Sequence, residues 1–92
     1  MNKHDLPSWA DDLNILALHE VGIPTSTLRG LEAAFETPIS RVVIAIVAPD
    51  DYHRGGRFLW LIGPHGEEVG IEVELWGGVA EARAILADLA SA

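Results

Sequence analysis

LHEVGIPTSTLRGLEAAF, residues 18–35, decides how the first third of the chain is built. Gly22 and Pro24 interrupt it, and beyond them Leu28, Leu31 and Phe35 recur at helical spacing. This predicts a helix over about 25–36, capped by Thr25 or Ser26 and stopped by Pro38. Upstream, Ser8 precedes Trp9, Leu13 and Leu16 at the same spacing, with Asp11 and Asp12 where a helix dipole favours anions. A first helix over about 8–21, ended by Gly22, completes a predicted helical hairpin over 8–36.

Further along, the period changes. RVVIAIVAP (residues 41–49) is rich in β-branched residues and apolar on both faces, as is FLWLIG (residues 58–63). Both read as strands covered on two sides. PHGE (residues 64–67) carries turn chemistry and leads into a clear alternation. Val69, Ile71, Val73 and Leu75 face one way, and Glu68, Gly70, Glu72, Glu74 and Trp76 the other, which describes a half-exposed strand. After Gly77, a helix is predicted over 78–91 with Ala82, Ile85, Leu86 and Leu89 on its apolar side.

The predicted architecture is therefore one α+β domain spanning 1–92, in the order α-α-β-β-β-α, with a three-stranded antiparallel meander over 40–76. Two doubly apolar strands against three modest helices require either helices on both sheet faces or a second copy over part of one. The two open sheet edges also invite pairing between chains, so a homodimer is as much expected as a monomer.

A chain of 92 residues holds one core. With 49% hydrophobic and 22% charged residues it is a folding sequence, and with no cysteine it has neither disulfides nor thiolate chemistry. No apolar run resembles a signal peptide or a membrane span, so a cytoplasmic protein without membrane contact is expected. The net charge of −8 is uneven. Residues 1–36 hold two basic and six acidic side chains (net −4), residues 37–66 three and two (+1), and residues 67–92 one and six (−5). Such a field repels nucleic acid and favours basic partners.

Leu18, Gly22, Ile23, Thr27, Leu28 and Leu31 fit a helix-turn-helix skeleton, and the sequence resembles that general pattern over about twenty residues. The resemblance implies a DNA-binding transcriptional regulator reading bases with Thr25, Ser26 and Arg29, with Arg54 and Arg57 on a wing. The charge opposes it: Arg29 stands against Glu32 and Glu36, whereas affinity for DNA comes from several cations on phosphate.

DDYHRGGR (residues 50–57) is long for a hairpin connection. His53, Arg54, Gly55, Gly56 and Arg57 are a candidate anion-binding loop, and Asp50, Asp51 and His53 a candidate metal set, although a solvated, mobile loop tip is the favoured reading of the stretch. The histidines at 4, 19, 53 and 65 do not converge, and Ser8, Ser26, Ser40 and Ser91 look like caps or boundaries. No metal, cofactor or catalytic activity is expected.

The remaining feature is acidic. Glu68, Glu72 and Glu74 share a strand face with Trp76, and Glu67 stands beside them. The ridge covers roughly 20 Å, far too sparse to imitate DNA, which carries a charge every ~1.7 Å. It suits a basic protein partner, with Trp76 as an anchor, unless the tryptophan is tucked beneath the last helix. The expected function is a non-catalytic acidic interaction or inhibitor module, of immunity, antitoxin or anti-defence type.

Overall fold

A doubly apolar strand needs neighbours on both of its edges, because backbone N–H and C=O groups left unpaired in an apolar setting are costly. The computed structural model, which describes residues 13–52 and 54–91, supplies the missing neighbour from the segment expected to be helical. Ile15–Glu20 is strand β1, followed by helix α1 (Thr25–Phe35), β2 (Arg41–Val47), β3 (Gly56–Ile62), β4 (Glu68–Glu74) and helix α2 (Gly78–Ser91). The order is β-α-β-β-β-α, and the sheet has four strands in the spatial order β1-β2-β3-β4, each pair antiparallel.

This corrects the predicted α-α-β-β-β-α layout and its helical hairpin over 8–36. Leu13 and Leu16 are three residues apart as a helix requires, but β1 pairs along β2 with Leu18 opposite Ala45 and Glu20 opposite Val43. A shift of register between Ile15 and Ala17 lets the strand bend, and Leu16 is left 66% exposed there. Leu and Ala favour helices locally, yet the pairing demand of β2 overrides that preference. Ser8, Trp9, Asp11 and Asp12, read as the start of the first helix, lie outside the described residues. A further link across the β1–β2 pair is Arg41, whose Nη2 lies 3.0 Å from Glu20 Oε1. An exposed pair of this kind contributes about 0–1 kcal/mol.

The chain leaves β1 through Val21, whose N–H still bonds Val42 O, and enters α1 at Pro24. Pro24 occupies the N-cap position with extended backbone, and no side chain caps the helix, so neither Thr25 nor Ser26 performs the expected role. At the far end Glu36 takes a left-handed conformation (φ 54°) and its N–H bonds Glu32 O, closing the helix as a C-terminal turn residue does. The Glu32 carboxylate accepts the N–H of buried Ile39 at 3.1 Å, tying the helix exit to the start of β2.

Both helices lie on one face of the sheet. Leu31 of α1 and Ala82 and Leu86 of α2, all at 0% exposure, join Val42, Ile44, Leu59, Leu61 and Leu75 in one cluster, with Leu28, Phe35, Ile85 and Leu89 packed around it. The helices cross closely at Gly30: a Cβ there would stand 2.8 Å from Ala90 Cβ and 3.0 Å from Ala90 O. Glycine costs helix stability but here lets two backbones approach. Gly70 plays the same part for Phe35, whose ring occupies the space a Cβ would take.

On the opposite face Leu13, Val43, Ala45, Val47, Trp60 and Ile62 form a second buried cluster, edged by Ile15, Leu18 and Phe58. Trp60 and Val43 sit opposite each other in the β2–β3 ladder, both at 0% exposure. These side chains are buried within a single chain. Among the described residues no helix is long and apolar enough to cross a membrane.

Candidate functional site

The fold makes β4 an edge strand. It pairs with β3 alone, and no strand among the described residues borders its other side. Its apolar residues, Val69, Ile71 and Val73, pack into the helix-side cluster, followed by fully seated Leu75. Glu74 stands opposite Phe58 and Glu68 opposite Ile62, both members of the second face, so the carboxylates lie on the side away from the helices. Glu68, Glu72 and Glu74 are all exposed. The pairing is not a simple alternation, however. Register shifts between Leu59 and Leu61 and between Leu61 and Ile62 turn Gly70 toward Phe35, where the sequence placed it with the glutamates.

Trp76 follows directly after the strand and is 81% exposed, so it is not tucked beneath α2. Its position is fixed by the backbone: its N–H and that of Gly77 both donate to Glu81 Oε2, at 2.7 and 2.5 Å. Glu81 lies in the first turn of α2 and is thus engaged in anchoring the turn before that helix. Glu67 is also engaged locally, its carboxylate accepting the N–H of His65 at 2.9 Å and folding over Gly63. Glu68, Glu72 and Glu74 are the exposed carboxylates of the strand itself, and Glu67, also exposed, precedes it in the turn.

The loop residues are divided by the structure. β3 begins at Gly56, so Gly56 and Arg57 belong to a strand and not to the connection. Gly55 (φ 78°) is buried against Val47 O and Pro49 N, where only glycine has room. Arg54 and Tyr52 are exposed, and Asp50 Oδ1 accepts the N–H of Tyr52 at 2.8 Å in a local turn. His53 lies outside the described residues, as does His4. Among the described residues no three His, Asp or Glu side chains gather as metal ligands.

Thr25, Ser26 and Arg29 are exposed on α1, but the element before them is β1. A helix-turn-helix needs a first helix to lie across the backbone and set the second in the groove. Residues 18–23 do not provide one.

What the sequence missed is a pair of shallow depressions meeting at Arg57. One, of about 320 Å³, is lined by Gly56, Arg57, Glu74, Leu75 and Trp76. The other, of about 230 Å³, is lined by His19, Ile44, Ile46, Arg57, Gly78 and Val79. The second brings together residues from β1, β2, β3 and α2 that only the four-stranded pairing makes neighbours. With β1 read as a helix, His19 had no reason to approach Ile44.

Compared with protein-family models, curated proteins and solved structures, the chain matches none of them.

Proposed function

We propose that the protein is a non-catalytic acidic interaction module that binds a basic protein partner along β4. The observation that carries the reading is the exposure of Trp76, 81%, at the end of an edge strand bearing exposed Glu68, Glu72 and Glu74. An edge strand offers a row of backbone donors and acceptors to an incoming segment. Its charges then select the segment. A second copy of β4 would set glutamate against glutamate, which is unfavourable between paired strands, whereas a basic strand is attracted. Trp76 adds a large apolar surface held in place by the Glu81 bonds, the type of residue that dominates interface energetics.

The reading extends to an inhibitor of immunity, antitoxin or anti-defence type, in which β4 occludes a basic surface of the partner. A cytoplasmic setting accords with the absence of cysteine.

The test is affinity capture from cell lysate on immobilised wild-type protein, beside Trp76→Ala and the double variant Glu72→Lys/Glu74→Lys. Because Trp76 is so exposed, its truncation leaves the melting temperature nearly unchanged while weakening partner binding about 30-fold, as for a ~2 kcal/mol hot spot. The charge reversal abolishes capture at low salt. Equal recovery of the same proteins on all three supports would overturn the reading.

A further inference from the structure

Helix α1 contributes nothing to the depression beside Arg57, and α2 reaches it only through Gly78 and Val79. This end of the helix-side face is therefore left partly open. Its floor is Ile44 and Ile46, alternate residues of β2 that share a face. His19 stands opposite Ile44 on β1, and Arg57 opposite Ile46 on β3. With strands ~4.8 Å apart, the backbones of His19 and Arg57 are about 12 Å apart across that floor. Val79, 42% exposed, closes one side, and Gly78 lies beside the guanidinium, its Cβ position 4.0 Å from Arg57 Nη1.

Arg57 makes no ion pair or side-chain hydrogen bond among the described residues. An unpaired guanidinium next to an apolar floor, in a chain of net charge −8, is chemically specific. Its planar fork matches a carboxylate, which accepts two parallel N–H bonds. One guanidinium neutralises one negative charge. A dianion would place its second charge toward Glu74, which lines the adjoining depression. The floor calls for an aliphatic body. A volume of about 230 Å³ is the room of some seven or eight water molecules at ~30 Å³ each, suiting a ligand of on the order of eight non-hydrogen atoms.

We propose that the depression formed by His19, Ile44, Ile46, Arg57 and Val79 binds a small organic monocarboxylate with a short branched aliphatic body. The carboxylate sits on Arg57, the body lies over Ile44 and Ile46 against Val79, and the His19 imidazole borders the far end. The site does not depend on the partner reading, since no glutamate of β4 lines it. Small size and an acidic surround set the dissociation constant on the order of 1 mM.

The test is an amide-resolved NMR titration of the whole chain at low salt with 4-methylpentanoate, alongside its neutral amide, acetate, and the Arg57→Gln variant. The expected result is saturable shifts at residues 44, 46, 57, 78 and 79 with the acid. Binding falls at least tenfold for the amide and for Arg57→Gln, and several-fold for acetate. Arg57 is exposed, so the free variant keeps the wild-type spectrum elsewhere. The proposal is overturned by absent or unsaturable shifts, by equal affinity for the amide, by unchanged binding in Arg57→Gln, or by acetate binding as well as the longer acid.

Discussion

Replacing Trp60 with alanine lowers the unfolding free energy by about 3–5 kcal/mol, the range for deleting a fully buried aromatic side chain. Trp60 is at 0% exposure in the middle of β3, opposite Val43 and flanked on its face by Phe58 and Ile62. It is the largest of the fully buried side chains among the described residues. Truncation leaves a cavity that neighbours anchored in three hydrogen-bonded strands cannot collapse to fill. For a chain of this length the total stability is on the order of 5–10 kcal/mol, so the variant loses roughly a third of it or more. Urea unfolding followed by far-UV circular dichroism measures this, with a lower midpoint and an unchanged slope expected. A loss below about 1 kcal/mol would show that the second face of the sheet is not a packed core.

Leu31→Ala probes the other face. Leu31 is at 0% exposure on α1 and joins the cluster containing Ala82 and Leu86 of α2 and Leu59 and Leu61 of β3. Alanine is at least as good a helix former as leucine, so α1 itself is not weakened and the loss is packing alone. A cost of about 2–5 kcal/mol is expected. At ~4–8 °C per kcal/mol for a domain of this size, the melting temperature falls by roughly 8–40 °C. Leu16→Ala is the matched control, since Leu16 is 66% exposed on the edge strand and its truncation costs about 0.5 kcal/mol or less. If the two leucine variants melted together, α1 would not be seated on the sheet as described.

Much of this fold is written locally in the sequence. The 69–75 alternation and the Ala82, Ile85, Leu86, Leu89 stripe each reflect one element meeting one apolar surface, and period alone identifies such elements. β1 is different, because ILALHE is built from residues that accept a helix readily and its strand state is imposed by partners 23 to 32 residues away. The deciding signal lay in β2. A strand apolar on both faces belongs inside a sheet, yet a meander of β2, β3 and β4 leaves it on the edge. That contradiction calls for another strand, and the apolar segment just upstream of α1 is the one available among the described residues.

The candidate site divides in the same way. The row of Glu68, Glu72 and Glu74 with Trp76 was legible because strand periodicity places it on one side. Glu67 and Glu81 carry the same charge in the sequence, but they lie in the turns before β4 and α2, where each accepts backbone N–H groups. In the sequence Arg57 groups with its neighbours in the loop. Its actual surroundings, His19, Ile44, Ile46 and Val79, come from three other elements. Such a setting depends on the whole topology and cannot be obtained from any window of residues.

The most direct test of the central claim is hydrogen exchange on the complex with the captured basic partner. New protection is expected at the backbone amides of β4 and through Trp76, residues 68–76, with β1 and the exposed side of α1 unchanged. Protection confined to β1 or α1, with residues 68–76 exchanging as in the free protein, would contradict it.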